Sequence, residues 1–93
     1  MRNTCQKHKK EVDKYDGTIN ELADDISNLH YKSLEHLLDR LSGKLFLDSM
    51  EDTKGGRDKL AKVLNEASKE IGKARKSIEE AWIISKPYMW KMV

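Results

Sequence analysis

Between Leu60 and Ser85, the residues Leu60, Leu64, Ala67, Ile71, Ala74, Ile78, Ala81 and Ser85 recur at alternating spacings of four and three. This is a heptad seam along one face of a long helix. Leu and Ile alternate with Ala, so the seam is narrow and admits a partner helix at close range, from the same chain or from another copy. It places Lys62, Lys69 and Lys76 on the opposite face, while Ala61 and Ser68 flank it with small groups where a third helix fits. No stretch shows the period of two that marks a half-buried strand.

A second stripe opens as Ile19, Leu22, Ile26 and Leu29 and resumes as Leu34, Leu37, Leu38, Leu41 and Leu45, slipping by one position near His30 and Tyr31. Such a slip bends a helix or widens its buried face. Thr18 and Glu21 have the spacing of a capping box, in which each side chain satisfies the other residue's backbone N–H. A helix is therefore expected over 18–50. Upstream, Cys5, His8, Val12 and Tyr15 share one face, which suggests a short helix within an arm spanning 1–16. A helix this short is marginal unless it docks.

The strongest break is Thr53-Lys54-Gly55-Gly56-Arg57, read as the turn between two long helices. Helix two is expected over 57–85 and to end at Lys86-Pro87, because a residue before proline is biased out of the α region. The tail 86–93 holds Tyr88 and Trp90. Phe46 and Leu47 make the far end of helix one apolar on more than one side, and Trp82 stands among Ile78, Ile83 and Ile84, where burial is expected. The pattern predicts an all-α chain with a single helical domain over 1–93. Its form would be an antiparallel hairpin of two long helices with a short N-terminal helix, assembled as a homo-oligomeric helical bundle with Trp82, Phe46 and Leu47 at core or oligomer contacts.

Composition sharpens this. The 93 residues are 37% charged, with one Pro and five Gly, which favours long helices. A chain near this size leaves about 35 to 40% of its unfolded surface exposed, so assembly is a natural route to stability. Net charge is +2, yet residues 16–53 carry nine acidic and three basic groups, and residues 54–76 carry eight basic and three acidic. Those stretches complement each other, and a chain that cancels its own charge is a poor general nucleic-acid binder. The single cysteine, Cys5, precludes an intrachain disulfide and points to the cytoplasm. No apolar run approaches the ~18 residues of a membrane span, and the first ten residues lack the apolar core of a signal peptide.

No catalytic motif is present, and His8, His30 and His36 do not share a face; His36 and Asp39, one turn apart, read as a surface pair. The chain is therefore expected to be no enzyme and to carry neither metal nor cofactor. Two places suit a phosphorylated ligand. Lys54, Gly55, Gly56 and Arg57 precede a helix start, where backbone N–H groups attract phosphate; an ordinary turn is the plainer reading. Lys86, Tyr88 and Trp90 combine cations with aromatic faces that stack on a base; an oligomer contact or a cap on the open end of the hairpin is the plainer reading there.

With Leu22-Ala23-Asp24-Asp25-Ile26, Gly56-Arg57-Asp58-Lys59-Leu60-Ala61 and Glu80 through Met89 in view, the chain resembles small all-helical accessory proteins of bacteriophages. In outline it is similar to the anti-CBASS sponges, helical oligomers that sequester cyclic-nucleotide immune signals between subunits. The similarity covers length, helix content and an aromatic, proline-bearing end, and it transfers no binding residue. It implies a non-enzymatic accessory protein in the cytoplasm of an infected bacterium, sequestering a cyclic nucleotide or another small phosphorylated signal. The alternative is a helical protein–protein interaction module that inhibits a host factor.

Overall fold

The computed structural model describes residues 8–89. Among these the chain is all-helical, in three segments: α1 (Ile19–Ser27), α2 (Tyr31–Lys54) and α3 (Asp58–Met89).

α1 starts as the capping box requires. The Glu21 N–H donates to Thr18 Oγ1 at 3.1 Å, and the Thr18 N–H donates to Glu21 Oε1 at 2.8 Å. The helix expected over 18–50 is divided at the slip in its apolar stripe. Asn28 caps α1, and His30 caps α2 by accepting the Lys32 N–H on Nδ1 at 3.0 Å. The backbone N–H groups of Asn28 and Leu29 close α1 onto Asp25 and Ile26, and the His30 imidazole opens α2, so that a shift of pattern becomes a break. α2 then runs through Lys54, four residues past the expected end.

Residues 8–18 are turns and bends where the pattern suggested a helix over 4–15, while Cys5 lies outside the described residues. Val12 is 47% exposed, so the weak stripe has no surface to dock on. The segment is held instead by Tyr15, whose hydroxyl donates to Asp25 of α1 at 2.6 Å.

α3 passes through Pro87 and does not stop at Lys86. The proline deletes one hydrogen bond, and at this position the missing bond falls within the final turns of a 32-residue helix, where the loss disturbs little beyond it.

α2 and α3 pack along each other. Ser42 is bonded to Ser68, and Glu35 to Arg75. Both pairs sum to 110, the constant sum of two antiparallel helices in register. Extended along the helices, that register sets Ser49 opposite Ala61 and Leu38 opposite Gly72. Among the described residues Ser49, Ala61 and Ser68 are the buried ones, at 5%, 6% and 6% exposure. The stripe on α3 that faces α2 is therefore Ala61, Asn65, Ser68, Gly72, Arg75 and Glu79, one position on from the apolar seam. This corrects the expected placement. Small side chains let the backbones approach, so α2 lies where a third helix was expected, and the Leu/Ile seam is turned to the side of the contact with Leu60 48% exposed.

Ala61 is the one apolar residue buried among those described, and α1 buries none. The molecule is a flat layer with extents of 54 × 29 × 14 Å. Trp82, expected in the core, is half-buried, because α3 extends beyond the start of α2 and His30 is the ring that reaches it.

Candidate functional site

The glycine turn is built from backbone bonds. The Gly55 N–H donates to Glu51 O at 3.0 Å, the Gly56 N–H to Thr53 O at 3.1 Å, and the Arg57 N–H to Asp52 O at 2.8 Å. The three N–H groups that the sequence offers to a phosphate are thus committed to α2 carbonyls. Gly56 adopts φ +80°, a left-handed conformation that favours glycine. Arg57 folds back so that Nε donates to Asp52 Oδ1 at 2.7 Å, and its guanidinium occupies the space a Cβ on Gly55 would need. With Asp58 opening α3 and Asp52 on Arg57, the turn carries its own counter-charges. Lys54 ends α2 beside it.

The second group lies at the other end of α3. Trp82 meets the His30 ring with centroids 4.5 Å apart and planes tilted by 55°, and Lys86 Nζ stands 5.9 Å from the Trp82 centroid. This is a cation–π arrangement on a half-buried indole. Tyr88 is 67% exposed, and Trp90 lies outside the described residues. At 1.5 Å per residue, Arg57 and Lys86 are separated by roughly 40 Å of helix. One chain therefore does not bring the two halves of the expected ligand site together.

Phe46 and Leu47, expected at core or oligomer contacts, are 47% and 58% exposed. Phe46 stands between two open hollows. One, of about 580 Å³, is lined by Ser42, Gly43 and Ser68 among others; the second is lined by Met50, Ala61 and Asn65 among others. A third and smaller hollow is polar, with Lys32, Glu35, His36, Asp39 and Arg75 on its walls. No three His, Cys, Asp or Glu side chains among the described residues are placed to hold a metal ion, and no helix there is long and apolar enough to cross a membrane.

Sequence reasoning missed the polar part of the interhelical contact. Arg75 Nη1 donates to Glu35 Oε2 at 3.0 Å, with the Glu35 side chain 15% exposed, and Lys32 Nζ is 3.7 Å from Oε1. Glu35 Oε1 is buried and accepts no hydrogen bond. The signal was available. Ala61, Asn65, Ser68, Gly72, Arg75 and Glu79 also follow the spacing of four and three, but a stripe of small and polar residues does not announce itself as a contact.

Comparison with protein-family models, curated proteins and solved structures finds no match. The functional reading therefore rests on the chain's own surface.

Proposed function

We propose that this chain is a non-enzymatic helical protein–protein interaction module, acting in the cytoplasm through an apolar helix face. One observation carries the reading. Among the described residues a single apolar side chain is buried, while Leu47, Val63, Ile83, Ile84 and Tyr88 are each more than half exposed. So little apolar burial beside so much apolar exposure fits a small chain that completes its core against another protein. The homo-oligomeric bundle expected from the sequence is one form of that contact, and inhibition of a host factor is another.

The sponge reading keeps one observation in its favour, the cationic aromatic group of Trp82, Lys86 and Tyr88. The turn at Lys54 to Arg57 contributes less than its sequence suggested, since its N–H groups and its arginine are engaged. A thermal-shift panel of cyclic di- and trinucleotides discriminates the two. A ligand at 100 times its dissociation constant adds about 2.7 kcal/mol of stability. The interaction module predicts no shift with any of them, and a shift of that size with one nucleotide would transfer the function to sequestration.

A further inference from the structure

We propose that His30 is a proton-operated catch on the joint between α1 and α2: the neutral imidazole closes the joint, and its protonation opens it. The catch is independent of what the apolar faces of the chain meet.

His30 touches two elements in two ways. Its Nδ1 accepts the Lys32 N–H at 3.0 Å, which is the side-chain cap of α2. Its ring meets Trp82 of α3, with centroids 4.5 Å apart. An Nδ1 that accepts carries no hydrogen, so the proton of the neutral ring sits on Nε2. In the imidazolium both ring nitrogens are donors, and the cap has no acceptor left. The Lys32 N–H then joins the unsatisfied donors of a helix start. The usual capping side chains, Ser, Thr, Asp and Asn, keep an acceptor oxygen near neutral pH. Histidine ordinarily changes charge between about pH 5 and 8, so a cap built on it comes and goes in that range.

The charges around the ring add to the effect. On α2, Lys32 stands two positions away and the first turn holds no acidic residue, so the positive helix end has no counter-charge there to share with an imidazolium. On α3, Lys86 Nζ is 5.9 Å from the centroid of Trp82, the ring that His30 faces. The acids of that stretch are Glu79, 3.6 Å from Arg75 Nη1, and Glu80, which is exposed. On α1, Asp25 accepts the Tyr15 hydroxyl and Asp24 is exposed. Among the described residues the hydrogen bond to the imidazole is the one from Lys32, so protonation loses the cap without gaining a partner already in place. His36 has no such role, since it lines the polar hollow with Lys32, Glu35, Asp39 and Arg75.

What the catch controls is the attachment of α1. Residues 28–30 join the two helices, and α1 buries no residue, so its direction is set at this joint. On the α1 side the Asn28 and Leu29 N–H groups donate to the Asp25 and Ile26 carbonyls at 3.2 and 3.0 Å, and backbone bonds do not titrate. On the α2 side the imidazole is the closing group. The joint is therefore closed at pH 8 and opens as the pH falls.

The test uses the full chain with Trp90→Phe, which leaves Trp82 as its one tryptophan, alone and with either His30→Asn or His36→Asn added. Asn caps a helix without titrating. Trp82 emission and circular-dichroism melting are followed from pH 8 to pH 5.5. The expected result is at least a twofold change in Trp82 emission and a melting temperature lower by about 4–8 °C at pH 5.5, the shift that one lost cap gives a domain of this size. Both changes should vanish with His30→Asn and persist with His36→Asn. A melting difference that survives His30→Asn, or that disappears with His36→Asn, overturns the proposal. So does a titration of Trp82 emission with no change in melting, which leaves the ring contact and removes the catch. Nitrogen NMR of the unaltered chain gives a reading that needs no variant to fold. His30 as the Nε2–H tautomer at pH 8 supports the catch, and the Nδ1–H tautomer overturns it.

Discussion

Ser42 and Ser68 hold one another across the contact between α2 and α3. Each hydroxyl donates to the other residue's backbone carbonyl, at 2.9 and 2.7 Å, and the two hydroxyl oxygens lie 3.2 Å apart. Side chains this short reach the opposite backbone only where the helices are close. Ser68→Leu should therefore overpack the contact and cost about 1–3 kcal/mol, whereas Ser68→Ala, which keeps the volume small, should cost about 0.5–1.5 kcal/mol. Urea denaturation of the two variants checks the order. A stabilising Ser68→Leu would mean that the helices are not held at this distance.

Arg75 and Glu35 make the second cross-helix bond, and the carboxylate is the better covered partner. Arg75→Leu removes the donor and leaves Glu35 with Lys32 at 3.7 Å as its remaining cation. The expected cost is about 1–3 kcal/mol, the penalty for stranding a covered polar group. Adding Glu35→Leu should recover most of it, because apolar pairs replace covered ion pairs at little loss. A double-mutant cycle on chemical denaturation reads both steps.

Two glycines should respond in opposite directions to alanine. Gly56 sits at φ +80°, where a Cβ is strained, so Gly56→Ala should destabilise by about 1–2 kcal/mol. Gly43 lies within α2, and a Cβ there meets nothing within 4 Å, so Gly43→Ala should stabilise by about 0.4–1 kcal/mol. Thermal melts by circular dichroism separate the two signs.

The Tyr15 phenol, normally near 10.0, is pushed up to about 12. Its hydrogen bond to Asp25 is the main cause, followed by lost hydration and the negative charges of Asp25 and Glu21. The folded state favours the neutral phenol, so the clasp contributes fully below pH 10 and is lost as pH rises toward 12. The difference in tyrosinate absorbance between the wild-type chain and Tyr15→Phe should titrate near 12. A midpoint near 10 would mean that the clasp to α1 does not persist in solution.

Trp82 is half-buried in the single chain, so Trp82→Ala should remove the His30 ring contact and the Lys86 cation, together about 1–2 kcal/mol. A cost of about 3–5 kcal/mol, the range for emptying a core position, would show that assembly buries the indole. Melting Trp82→Ala beside His30→Ala shows whether the two rings act as a pair.

The sequence by itself determined what is local. The Thr18–Glu21 capping box, the Gly55-Gly56 turn and the helical periods are written in residues a few positions apart, and an absence of strand-like alternation set the class. The slip near His30 marked where the first long helix divides, although the pattern alone did not say that capping by Asn28 and His30 would make it a break. Which face of α3 meets α2 was decided only in three dimensions. Two stripes with the same heptad spacing run side by side on that helix. Apolar periodicity pointed to Leu60, Leu64 and Ile71, while close approach is permitted only along Ala61, Ser68 and Gly72. Pattern reports which residues avoid water, and packing distance depends on how small they are. The same distinction disperses the expected ligand site, because Arg57 and Lys86 share a sequence chemistry and stand at opposite ends of one long helix.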